Sequence, residues 1–312
     1  MTYCRVNYIL TNMTNILPKI IAILGPTSSG KSDVAVLLAK KFDGEVISAD
    51  SRQVYKGLDI ATGKITKEEM RDIPHHMLDV ADPKDQYSVA QFKREAEKII
   101  DDILKRNKTP IICGGTGQYV DAITENYITP TTLPNYELRE ELSGKTVEQL
   151  YSELLILDPK RALDIDRNNP RRLIRAIEIA HDLGTVPKQE ETPLKYDALK
   201  IAISTDKETL RSRIEMRTQK RIDQGMIDEA KSLHENGLTF KRMRELGLEY
   251  KYLADYLEGE ITIDKLKQEI FFKDWQYAKR QMTWLKRDTN IHWFALSDMQ
   301  KIFDEVKYFL EK

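Results

Sequence analysis

Eight residues near the start of the chain, Gly25-Pro26-Thr27-Ser28-Ser29-Gly30-Lys31-Ser32, have the types and spacing that hold phosphate. They match the P-loop pattern G-x-x-x-x-G-K-[ST] at every fixed position. Backbone N–H groups wrap the anion, and Lys31 adds a positive charge. The pattern specifies a phosphorylated ligand without specifying ATP. Asp50, in Ser48-Ala49-Asp50-Ser51, is a carboxylate that either binds Mg²⁺, accepts a proton from an attacking nucleophile, or caps a helix. Thr116, after Gly114-Gly115, either donates to a phosphate oxygen or serves the turn. Two arginine groups remain: Arg167, Arg171, Arg172 and Arg175, then Arg211, Arg213, Arg217, Lys220 and Arg221. Guanidinium forks suit a nucleic-acid backbone or a second phosphorylated ligand, but Asp164, Asp166, Glu178 and Glu215 are close enough in sequence to pair with them.

These residues need elements to position them. Ile20-Ile21-Ala22-Ile23-Leu24 reads as a buried strand leading into the P-loop, and Val34, Leu37, Leu38 and Ala39 follow at helical spacing. Glu45–Ser48 is a second strand ending at Asp50, and His76–Val80 is predicted as another. Ser88 and Gln91 form a capping box before a helical face of Val89, Phe92, Ala96, Ile99, Ile100, Ile103 and Leu104. Pro110–Cys113 is a strand stopped by Gly114-Gly115. This alternation predicts an α/β fold, a P-loop parallel-sheet core flanked by helices, with polar clusters converging at the carboxyl ends of the strands.

The grammar changes near residue 126. Residues 127–135 read as a linker, and Val147, Leu150, Leu154 and Leu157 mark a helix that Asp158-Pro159 ends. Asn169-Pro170 opens another with Leu173, Ile174, Ile177 and Ala180 on its apolar face and Gly184 at its end. The predicted organisation is an N-terminal extension over 1–18, a core over 19–125 and 199–312, and an all-helical insertion over 126–198. Leu199–Ile203 returns as a strand, Ile291–Phe294 is a late strand, and Phe271, Trp275, Ala278, Met282 and Leu285 form a core stripe on a long helix.

Composition bounds the rest. Hydrophobic residues make up 41% and charged residues 32% of 312, which permits a sizeable core and a solvated surface. No apolar run is long enough to span a bilayer, so no membrane role is expected. Residues 1–19 lack the apolar stretch of a secretory signal, and Met13 is a possible start. Two cysteines, Cys4 and Cys113, form no zinc spacing, His75-His76 reads as structural, and the expected setting is reducing and cytoplasmic. At a net charge of −1, any nucleic-acid contact must come from local patches. On these residues alone the chain reads as a P-loop enzyme of kinase-like architecture, which an ATP-dependent small-molecule kinase would account for. A non-catalytic RNA-binding protein with a vestigial P-loop is a further possibility, against which the intact Lys31-Ser32 and Asp50 argue.

A set of segments in order resembles the tRNA dimethylallyltransferases (tRNA isopentenyltransferases), of bacterial type. The set is the P-loop; Ser48-Ala49-Asp50-Ser51-Arg52-Gln53-Val54-Tyr55; Gly57–Thr62; Pro74–Asp79; Gly114-Gly115-Thr116-Gly117; Asn169–Ala176; and Ala278–Trp284. The resemblance runs from about residue 20 to 287. It implies transfer of a dimethylallyl group from dimethylallyl diphosphate to N6 of an adenosine beside the anticodon. The P-loop, Gly25 to Ser32, would then hold a diphosphate, with Mg²⁺ bridging its oxygens through Ser32. Asp50 matches the general base, and Lys31, Ser32, Thr116 and Arg217 match positions that neutralise the diphosphate. Asp50, Ser51, Arg52, Gln53, Thr116, Arg139, Arg171, Arg172, Leu173, Ile174 and Arg175 match positions that contact the tRNA anticodon stem-loop. The enzyme is expected to be a monomer. One departure stands out: the usual Gly-Tyr element reads Gly247-Leu248-Glu249-Tyr250.

Overall fold

A computed structural model describes residues 16–127, 132, 134–187 and 192–312. Cys4, Met13, most of the expected N-terminal extension and parts of the expected linkers lie outside the described residues.

The first half-sheet is built from β1 (Lys19–Leu24), β2 (Gly44–Ala49), β3 (His75–His76) and β4 (Thr109–Gly114). Its connecting helices are α1 (Lys31–Lys41), α2 (Lys67–Met70) and α3 (Val89–Lys105). A helix α4 (Gly117–Thr124) leads out of β4. Four helices follow: α5 (Tyr136–Ser143), α6 (Val147–Leu157), α7 (Pro159–Asp164) and α8 (Pro170–Leu183). The chain returns through β5 (Asp197–Ser204), then α9 (Lys207–Asp223), α10 (Met226–Glu235), α11 (Phe240–Leu246), α12 (Leu248–Leu257) and α13 (Ile263–Leu285). It closes with β6 (His292–Ala295) and α14 (Met299–Glu311). The six strands lie in the order β3-β2-β4-β1-β5-β6, and every pairing is parallel.

Both faces of the sheet are covered, which is why its strands read as continuous apolar runs. On β1, Ile20, Ala22 and Leu24 enter one core with Phe92, Ile100, Tyr250, Leu266 and Ile270. Ile21 and Ile23 enter the other with Val34, Leu38, Ile302 and Val306. The period of two divides one strand between two layers.

One expectation needs correction. The strand predicted over His76–Val80 is only His75–His76, because Met77 (φ 62°) and Asp79 (φ 57°) turn the chain out of the extended region. Asp79 is then held by Lys64 Nζ at 2.5 Å. The helix marked by Val147, Leu150, Leu154 and Leu157 ends at Asp158-Pro159 as expected, and the same pair opens the next one. Asp158 closes α6 and caps α7 through its bond from Arg161 N at 3.0 Å, with Pro159 at the first position.

Helices α5 to α8 pack around their own cluster of Leu142, Leu150, Leu154, Ala162, Leu173, Ala176 and Ile177. Arg139 on α5 reaches back across to Gln86 Oε1 at 3.0 Å.

Candidate active site

The P-loop joins β1 to α1 at the carboxyl edge of the sheet. Gly30 sits in the left-handed region (φ 90°) and caps α1 without a side-chain bond, so the first-turn N–H groups stay free for an anion. Lys31 Nζ donates to Pro26 O at 3.3 Å. Burial holds its pKa below the usual lysine value, which marks an ammonium short of water and of countercharge.

From α9, Arg217 reaches the same loop. Its Nη1 donates to Thr27 Oγ1 at 2.9 Å and its Nη2 to Gly63 O at 3.2 Å. Burial, reinforced by the neighbouring Arg221, pulls its pKa down to about 10. Two cations held in a dry site with little compensation form a prepared anion site.

Asp50 leaves β2 at the edge of this cavity. Its Oδ1 accepts from Arg52 N at 2.8 Å and Gln53 N at 3.3 Å, so one oxygen performs the capping role weighed above. Its Oδ2 accepts no protein hydrogen bond among the described residues. Thr116 Oγ1 accepts from Ser51 N at 3.0 Å, tying the exits of β2 and β4 together. Tyr277 on α13 stands beside them, its hydroxyl pushed up to about 12 by burial and by the charge of Asp50.

A cavity of about 540 Å³ collects Thr27, Ser28, Gly30, Lys31, Ser32, Asp50, Arg52, Gln53 and Arg217. Ser29 is buried under the loop at 0% exposure, and Gly25 and Pro26 form the backbone behind it. Ser51 and Thr116 flank the cavity. The insertion residues lie elsewhere. Arg139 and Arg175 line a second, larger cleft, about 1540 Å³, between the insertion and the α3 edge of the core. Both are bound to Glu178, whose side chain is only 1% exposed; Arg139 Nη2 lies 2.9 Å from it. Burial alone would raise the Glu178 carboxyl, but the two guanidiniums keep it below its usual range. Arg171 and Arg172 are exposed at the start of α8. The expected RNA contact at Leu173 is corrected for its side chain, which is wholly buried in the insertion core because α8 turns that face inward. Ile174 packs partly against the same core.

Several residues at the site escaped the sequence reading. Gln281 is buried; its Oε1 accepts from Thr27 N at 2.8 Å and its Nε2 donates to Gly115 O at 3.0 Å, so α13 clamps the P-loop to the end of β4. Asp274, two helical turns earlier on the same face, is buried too. The buried line on α13 is Leu266, Ile270, Asp274, Ala278, Gln281 and Leu285, whereas Phe271, Trp275 and Met282 of the predicted stripe are only partly buried. Reading apolar positions alone passes over the polar ones that share their face. Glu229 on α10 accepts from the N–H groups of Asp59, Ile60 and Ala61 at 3.0, 2.6 and 3.0 Å, and from Tyr250 Oη at 2.8 Å. It thereby fixes the loop whose Gly63 carbonyl receives Arg217 and, at 3.3 Å, Gln53 Nε2. The altered element sits here: Leu248 starts α12 with φ 45°, Glu249 turns into the cavity wall and Tyr250 into the core.

No group of three or more His, Cys, Asp or Glu side chains is placed to hold a metal among the described residues. The donor set instead suits Mg²⁺, which takes one or two protein oxygens and completes its shell with phosphate oxygens and water. Ser32, at the P-loop, and Asp50, at the end of β2, are among the oxygen-bearing residues that line this cavity.

A family model described as IPP transferase matches residues 53–288. A tRNA dimethylallyltransferase of Halalkalibacterium halodurans is 40% identical over 291 residues, covering 90% of this chain and 92% of that protein. One from Anoxybacillus flavithermus is 38% identical, covering 94% and 96%. Among solved structures, a full-length tRNA isopentenylpyrophosphate transferase from Bacillus halodurans superposes with a TM-score of 0.72 at 36% identity, over 94% of this chain and 97% of its own. A eukaryotic dimethylallyltransferase captured acting on tRNA superposes at 0.78 with 29% identity, over 91% and 75%.

Proposed function

This chain belongs to the IPP transferase family, and from that membership we propose that it moves a dimethylallyl group from dimethylallyl diphosphate to N6 of the adenosine adjacent to the anticodon of tRNA. The observation that carries this is the convergence on one cavity of Lys31, Arg217 and the α1 N-terminus with the carboxylate of Asp50. The first three suit a diphosphate leaving group, and the last suits an amine that must lose a proton.

In this reading the N6 nitrogen forms a bond to the allylic carbon while the bond from that carbon to the diphosphate oxygen breaks. The electron pair departs with the diphosphate, where Lys31, Arg217 and the loop N–H groups receive the charge. The free oxygen of Asp50 takes the N6 proton, because an exocyclic adenine amine is a poor nucleophile until that proton is shared. Thr116 holds Ser51, and through it the turn that carries Asp50. Mg²⁺, contacted by Ser32, would neutralise diphosphate oxygens when bound. The base must leave its stack to reach the cavity. The 126–198 insertion, with Arg139, Arg171, Arg172 and Arg175, would close over the anticodon stem-loop, and the Asp50–Gln53 turn would meet the flipped base.

No described helix is long and apolar enough to cross a membrane. Action as a cytoplasmic monomer belongs to the same proposal. The kinase alternative assigns no role to the cleft under the insertion. Incubation with Mg²⁺, unmodified tRNA and dimethylallyl diphosphate, followed by nucleoside mass analysis, tests the reading. An adenosine heavier by one dimethylallyl group is the expected product. ATP turnover without prenyl transfer would overturn it in favour of a kinase.

A further inference from the structure

Arg217 and Arg221 lie one helical turn apart on α9 and line the same cavity. Their terminal amino groups meet over Gly63. A Cβ at that position would stand 2.0 Å from Nη2 of Arg217 and 2.5 Å from Nη2 of Arg221. The backbone there is left-handed (φ 59°), so glycine supplies both the turn and the room. Two guanidiniums sharing a dry wall repel each other unless a negative group faces them. Glu249 is that group: its Oε1 accepts from Arg221 Nη1 at 2.9 Å, while Asp274 Oδ2 stands at 3.6 Å. Burial and the charge of Glu249 beside it push the Asp274 carboxyl well above its usual range, which leaves Glu249 as the closer and stronger countercharge.

A brace between α9, α12 and α13 would need only the Nη1 bond. It leaves two facts without a purpose. Arg221 is 4% exposed, yet its Nε–H has no partner. Its Nη2 also lies at the cavity wall beside a guanidinium that already grips the P-loop. Buried donors are nearly always satisfied, and a missing acceptor points to a ligand. Taking the cavity as the diphosphate site proposed above, we propose that Arg221 is a second guanidinium of that site, and that Glu249 is the residue that permits it to stand next to Arg217. The altered Gly247–Tyr250 element acquires a purpose in this arrangement, since it delivers the carboxylate.

The test is calorimetric titration of inorganic diphosphate, with Mg²⁺, into the full chain, with thermal melts alongside. Arg221→Met weakens binding by about tenfold or more, the scale of a lost charge-assisted donor. Glu249→Gln binds diphosphate at least as tightly as the parent, because a negative charge beside the anion is gone. A mere brace predicts weakening in both variants, and that parallel loss would overturn the proposal. So would unchanged affinity in an Arg221→Met protein with a native melt. Should Arg221→Met not fold, Glu249→Gln decides alone: equal or tighter binding supports the inference and weaker binding overturns it. A parent protein that binds no diphosphate overturns both this inference and the reading of the cavity. A parent that binds, with no effect at 221, overturns the inference only.

Discussion

The arginines of α9 and those of the helical insertion differ in what surrounds them. Arg217 is partly buried, joined to the P-loop and to a backbone carbonyl, and its charge is poorly compensated. Arg139 and Arg175 share one buried carboxylate, Glu178, and Arg171 and Arg172 are open to solvent. A small anion that must be stripped of water is held by cations that are themselves dry, where each contact is strong and a missing one is costly. A long polyanion is held by many exposed or pre-paired cations, each weak and screened by salt. One molecule therefore uses the same side chain in two regimes, and the regimes are separable by mutation.

The sharpest separation is expected at Arg217. Arg217→Ala lowers kcat/KM for the prenyl diphosphate by about 10²–10³, as loss of a preorganised donor does, while tRNA affinity holds. Equal losses toward both substrates, measured by steady-state kinetics and filter binding, would break the distinction. Asp50→Ala comes next: turnover falls about a hundredfold with tRNA still bound, and single-turnover rates near the parent's would remove the general base from the mechanism.

Glu229→Gln probes whether the dry site depends on its supporting loop. Its three N–H partners then face an amide in place of a carboxylate. The expected result is a rise of roughly tenfold in KM for the diphosphate, with KM for tRNA unmoved. A fall in melting temperature without that split would make Glu229 a purely structural residue. The smallest effect belongs to the insertion. Arg171→Ala weakens tRNA binding by a few-fold and lowers the salt slope by about one. An unchanged slope would take Arg171 out of the phosphate contacts.

Much of this was legible in the chain. The P-loop, the apolar strands and the Ser88, Asn169 and Gly184 boundaries are contiguous signals, and each acts over a turn or a strand. The ordered motifs named the family. The failures share a cause. His76–Val80 has strand-like residues, but the Lys64 pair and the turn at Met77 override a weak local preference. Gln281, Asp274 and Glu229 are polar residues on faces where periodicity counts only apolar ones.

The sequence by itself determined that a phosphate loop ends one strand, that polar residues end two others, and that the layers are α/β, because strand burial and helix capping depend on near neighbours. Only the tertiary structure decided which arginine stays uncompensated and which is locked to Glu178. It also decided that Gln281, 254 positions away, would hold Thr27. Those choices are made across packed faces far apart in the chain, where distance and burial set the strength of a charge, and residue type alone carries no record of its partner.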